Sequence, residues 1–117
     1  MAYKVAVASS DGKVINRHFG HAEQFLVFEL GEEEFRFLES RDNLPPCLFQ
    51  EHDEELFDRT VALLSDCRVV LASRIGPGAA AALEARGVKS YAVPNYIDEA
   101  LQRLLVARKA ETYIQEV

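Results

Sequence analysis

The chain has 117 residues, 49% of them hydrophobic, enough for one packed core and too few for two. Thirteen basic residues against nineteen acidic ones give a net charge of −6, with the cations scattered rather than striped, which argues against nucleic-acid binding and against docking on anionic membranes. The opening residues lack the charged-then-apolar pattern of a signal peptide and runs such as "VVLA" are far too short to span a bilayer, so a soluble cytoplasmic domain with reduced thiols at Cys47 and Cys67 is expected.

The first predicted element is a strand over "YKVAVAS" at 3–9, which ends at the turn signal "SDGK". A loop follows to about residue 22. "FLVFEL" at 25–30 and "FRFLES" at 35–40 flank the short acidic link "GEEE" and predict a β-hairpin. "DNLPPCLFQ" at 42–50 predicts a loop, because two consecutive prolines remove two amide donors and restrict the residue before them. Leu56, Phe57, Thr60, Val61 and Leu64 then share one face at helical spacing, with "EHDEE" supplying acids at the helix start.

"CRVVLAS" at 67–73 predicts a short buried strand. In "RIGPGAAAALEARG", Pro77 suits a first helical turn and Gly87 a C-terminal cap. "VKSYAV" at 88–93 is the next strand, and "PNYIDEALQRLL" opens a helix with Asn95 as N-cap and Asp98 three residues on, in the manner of a capping box. Ile97, Leu101, Leu104 and Leu105 form its apolar stripe. The element order is βββαβαβα, a single α/β domain over 1–106 with a polar tail at 107–117 that is expected to fray.

Two of the three histidines, His18 and His21, fall in one short connection, "INRHFGHAEQF". Imidazole is a common metal ligand, and a spacing of three can place both rings on one side of a helical turn; the plainer reading is a pair of surface histidines. Phe19 between them can plug the core, and Gly20 lets the chain turn. Cys47 and His52, in and just beyond the proline loop, could add a soft thiolate and a further imidazole; equally, Cys47 fills a small apolar space and His52 sits near a helix start. Cys67 opens a buried strand and reads as core. A closed zinc site would need four regularly spaced ligands, such as paired C-x-x-C units, and that pattern is missing. No G-x-S-x-G elbow supports a serine nucleophile, and "RIGPGA" lacks the Lys-Ser/Thr element of a Walker loop, although its helix start could hold an anion.

With these residues in view, "VAVASSDGKVINRHFGHAEQFLVFEL" resembles the opening of the dinitrogenase iron–molybdenum cofactor biosynthesis family, which includes NifX-type carriers, the C-terminal domain of NifB-type proteins and the cofactor-binding part of NafY-type proteins. "PPC", "LLSDCRVVLASRIGPGA" and "LEARGV" extend the resemblance from residue 3 to about 105. It implies a ribonuclease H-like α/β fold, a mixed five-stranded sheet with helices packed on it. It also implies non-enzymatic binding of the iron–molybdenum cofactor or an iron–sulfur precursor during nitrogenase cofactor assembly, with the assembly proteins as partners. His18 and His21 match the family's H-F-G-H motif and Cys47 the cysteine of its proline loop, although relatives often carry glycines where this chain has "CLFQEH".

In this reading Lys13 and Arg17 help to hold an anionic cluster, and His18, His21, Cys47 and His52 are the candidate metal contacts. Neutral imidazole is the ligating form, so such binding weakens on acidification. Ribonuclease H-type nuclease chemistry is not expected, since the first strand carries no acid and Asp11 falls in the turn beyond it. Two other readings use the same fold: a regulatory or interaction domain without a cluster, and a carrier of another metal–sulfide cluster such as molybdenum–copper.

Overall fold

The computed structural model describes residues 2–48 and 51–116; the side chains of residues 47, 48, 51, 52 and 109–116 lie outside the description. A five-stranded mixed sheet forms from β1 (Tyr3–Ala8), β2 (Gln24–Leu30), β3 (Phe35–Asp42), β6 (Val69–Ala72) and β7 (Lys89–Ala92), in the order β3-β2-β1-β6-β7. β1 runs antiparallel to β2 and parallel to β6, so the centre of the sheet is where the two modes of pairing meet. Between β3 and the first helix, Cys47–Leu48 (β4) and Glu51–His52 (β5) pair antiparallel as a separate two-stranded ribbon.

The alternation of β1 divides the core in two, as a strand buried on both faces must. Ala6 and Ala8 face one side, against Val61 and Leu64 around α1 (Glu54–Leu63) and Ala79 and Leu83 of α2 (Pro77–Glu84). Val5 and Val7 face the other, against Ile97, Leu101 and Leu105 of α3 (Ile97–Glu116). The small alanines let two helices lie close on their face. The result is a helix–sheet–helix sandwich, with the mixed five-stranded sheet that the family resemblance implies.

Three local expectations are corrected. The loop predicted over 42–50 is in part regular: β3 continues to Asp42 and β4 begins at Cys47. Two-residue strands are too short to leave a periodic pattern, and Pro45 and Pro46 sit buried just before the ribbon. Asn95 does not cap α3 in the expected way. Its Oδ1 accepts from the amide of Tyr96 at 2.7 Å, and the first intrahelical bond runs from Ala100 to the Tyr96 carbonyl. The cause is tertiary, because Ile15 N donates to Asn95 O and Ile97 N to Lys13 O, which stitches this segment to the β1–β2 connection. Finally, α3 stays helical through 107–116, where helix-forming residues follow one another without Gly or Pro.

Candidate functional site

The connection from β1 to β2 is a built structure. Ser9, fully buried, accepts from the amides of Asp11 and Gly12, and Asp11 Oδ1 accepts from those of Lys13 (2.9 Å) and Val14 (3.1 Å). Gly12 sits at φ 76°, a left-handed turn position that glycine adopts without strain. These bonds, led by that from the Lys13 amide, hold the Asp11 carboxyl below its ordinary range. Beyond the turn, Ile15 enters the α3-side core and Phe19 the opposite core, with the Phe19 ring 5.8 Å from Phe25 and 6.5 Å from Phe57.

Phe19–His21 is one turn of 3₁₀ helix, stitched to the end of β6. Ser73 N donates to Arg17 O, and Phe19 N to Arg74 O, each at 2.9 Å. With Phe19 anchored, His18 and His21 are left exposed on either side of it. Their ring centres are 5.5 Å apart and nearly perpendicular, at 89°. Two imidazoles bound to one tetrahedral metal at about 2.0–2.1 Å place their ring centres roughly 5 Å apart, so the spacing of the pair is compatible with a shared metal, while their present contact is edge to face.

Both histidines border a cleft of about 550 Å³ at the carboxyl ends of the parallel strands β1 and β6, the customary ligand position in open α/β sheets. Glu54, Phe57 and Asp58 of α1 form one wall; Arg74, Gly76 and Gly78 at the start of α2 form another. The two helix starts differ. Asp53 caps α1 by accepting from Leu56 N at 3.0 Å, while α2 begins at Gly76 without a side-chain cap. Arg74 is exposed and makes no ion pair among the described residues, so the cleft is cationic on the α2 side and acidic on the α1 side.

The remaining candidates are distributed as follows. Cys47 and His52 are opposite each other in the β4–β5 ribbon, and β4 lies beside the 3₁₀ turn that carries the histidines; their side chains are outside the described residues. Lys13 is exposed on the same connection. Arg17 lines a neighbouring hollow of about 340 Å³ with Ser9, Ser10 and Gln24. Among the described residues, no three His, Cys, Asp or Glu side chains gather within reach of a single metal ion. Cys67 is buried in the core, and burial pushes its thiol up to about 11. Sequence reasoning missed Arg74, Glu54 and Asp58, whose place in the cleft depends on how β6 and α1 meet the histidine turn. The only local hint was the "RIGPG" helix start next to Arg74.

Comparison with known proteins bears on this site. The family model described as dinitrogenase iron-molybdenum cofactor matches residues 1–107. The chain belongs to that family. It is 38% identical over 103 residues to the FeMo cofactor biosynthesis protein NifB of Frankia alni, a match covering 86% of this chain and 20% of that protein. It is 30% identical over 114 residues to protein NifY of Azotobacter vinelandii, covering 97% and 41% respectively. The chain thus spans well under half the length of these curated relatives. Among solved structures, the apo form of the orange protein from Desulfovibrio gigas superposes with a TM-score of 0.66 at 22% identity, covering 90% of this chain and 88% of that one. PH0822 does so with a TM-score of 0.68 at 22% identity, covering 89% of each. At this identity these two matches show the fold alone. No helix among the described residues is long and apolar enough to cross a membrane.

Proposed function

We propose that this domain is a non-enzymatic carrier that holds an anionic iron–sulfur cargo, the iron–molybdenum cofactor or a precursor of it, and yields it to other nitrogenase cofactor assembly proteins in the cytoplasm. The observation that carries the reading is the exposed histidine pair, 5.5 Å apart, at the mouth of a 550 Å³ cleft in a chain of this family. Family membership supports the class of cargo, and the NifB and NifY relatives support the pathway. The sheet is taken as ribonuclease H-like, a reading supported by three antiparallel strands followed by two parallel ones in the order β3-β2-β1-β6-β7.

In this reading His18 and His21 bond to metal exposed at the cluster edge, and Cys47, with His52 opposite it, approaches from the adjacent ribbon. The cargo's own sulfides complete the coordination, so the protein needs no closed ligand set. Arg74, Lys13 and Arg17 offset the cargo's negative charge. Glu54 and Asp58 on the facing wall keep that attraction moderate, as suits a protein that must release what it holds.

The test is anaerobic reconstitution with an iron–sulfur precursor, followed by gel filtration and assay of iron and sulfide in the protein peak. Wild type should retain both; His18→Ala, His21→Ala and Cys47→Ala should retain less. A wild-type protein that elutes metal-free under these conditions would instead favour an interaction domain of the same fold.

A further inference from the structure

A second cleft, of about 390 Å³, opens at the opposite end of β1 from the histidines. β1 is six residues long, so the two clefts lie roughly 20 Å apart at about 3.3 Å per residue. Lys4, Arg68, Arg86 and Arg108 line it together with Tyr3 and Asp66. Four cations therefore converge on one hollow in a chain of net charge −6. Asp66 is the one carboxylate in that wall, and it is already engaged. Arg41 reaches it with two nitrogens at 2.7 and 2.9 Å, and Lys4 Nζ lies 3.0 Å away. Arg68, Arg86 and Arg108 have no carboxylate partner among the described residues.

Two of these arginines are held in position. The guanidinium carbons of Arg68 and Arg108 stand 5.4 and 5.0 Å from the centre of the same ring, that of Tyr3. Arg108 Nη1 also donates to the carbonyls of Leu30 (2.8 Å) and Gly31 (3.0 Å), which leaves Nε and Nη2 for a ligand. Gathering like charges around one ring is opposed by their mutual repulsion, and a bound anion would offset that repulsion by attracting both. The volume is at the small-ligand end of the usual range, too small for a folded partner to enter.

We propose that this cleft binds a small polyanion bearing two or more phosphate or carboxylate groups, clamped by Arg68, Arg86 and Arg108. Guanidinium forks suit both oxyanions, so the choice between them is left to the probes. Amide correlation spectra of the full chain would be recorded at constant ionic strength, with inorganic pyrophosphate and citrate added separately. Saturable shifts at the amides of Arg68, Gly87 and Lys89 are expected with at least one probe, and the stronger probe identifies the class. Arg86→Gln, which removes no contact that the fold uses among the described residues, should weaken binding about tenfold. Arg36→Gln, at an exposed pair with Glu29 outside the cleft, should leave it unchanged. The proposal is overturned if neither probe gives a saturable shift, if sodium chloride at matched ionic strength gives the same one, or if Arg68→Gln and Arg86→Gln bind as tightly as wild type.

Discussion

The connections on either side of β2 make an instructive pair. That between β2 and β3 uses only residues 31–34, closed by a bond from Gly31 N to Glu34 O at 2.8 Å, and its acidic tip faces solvent. That between β1 and β2 uses residues 9–23 to join strands that are equally adjacent. Ordering those extra residues costs backbone entropy. The chain offsets that cost with the Ser9–Asp11 turn, with Ile15 and Phe19 in separate cores, and with bonds to β6 and to the start of α3. Only the long connection presents exposed imidazoles. A loop longer than its strands require, yet fixed throughout, is the kind that carries a site.

The comparison is broken most severely at Phe19. Phe19→Ala should destabilise the domain by about 3–5 kcal/mol in urea unfolding, because it empties a buried aromatic site. His18→Ala, one residue before Phe19, and His21→Ala, two residues after it, should each change stability by no more than about 0.5 kcal/mol. Equal losses at the three positions would mean that the histidines belong to the packing and not to a site.

Next in size is the tie between β3 and the α1–β6 turn. Arg41→Ala removes the fork on Asp66 and the bond to Leu63 O, and should cost roughly 1–2 kcal/mol, since the arginine is largely buried but Asp66 is half exposed. The same contacts set a pH dependence. Arg41, and after it Lys4, hold the Asp66 carboxyl well below the usual carboxylate range. A depressed carboxyl stabilises the fold above its unfolded value of about 3.9 and ceases to as pH falls through the folded one. Melting temperature should therefore decline below about pH 4, and less steeply in Asp66→Asn.

A smaller effect concerns Cys67. Its thiol is raised mainly by burial, so its contribution to stability is present below about pH 8.5 and is lost as pH climbs toward 11. In a Cys47→Ser background, iodoacetamide at pH 8 should label Cys67 slowly in the native protein and readily in urea. The least effect is expected at the short connection, where Glu34→Gln should stay within about 0.5 kcal/mol.

These regions also differ in how far they can be read from the sequence alone. The five sheet strands and the three helices follow from local alternation, helical spacing, Pro77 and the left-handed Gly87, all properties of neighbouring residues. The histidine turn is visible for the same reason, since its pattern is contiguous. What escapes is decided across the fold. Arg74 enters the site only because the segment just after β6 pairs with the histidine turn, and Asn95 is drawn from its capping role by the bond from Ile15 N to its carbonyl and by that from Ile97 N to Lys13 O. The β4–β5 ribbon is too short to register as periodicity. The Arg41–Asp66 fork joins residues from separate elements and has no local signature.

The central claim is that imidazole on the long connection touches the cargo. The most direct measurement is pulsed electron paramagnetic resonance on cluster-loaded protein in a reduced, paramagnetic state, with histidine labelled in its ring nitrogens. The account predicts a hyperfine coupling to labelled histidine nitrogen that is lost in the His18→Ala, His21→Ala double variant. A loaded cluster that shows no such coupling, or keeps it in the double variant, would contradict it.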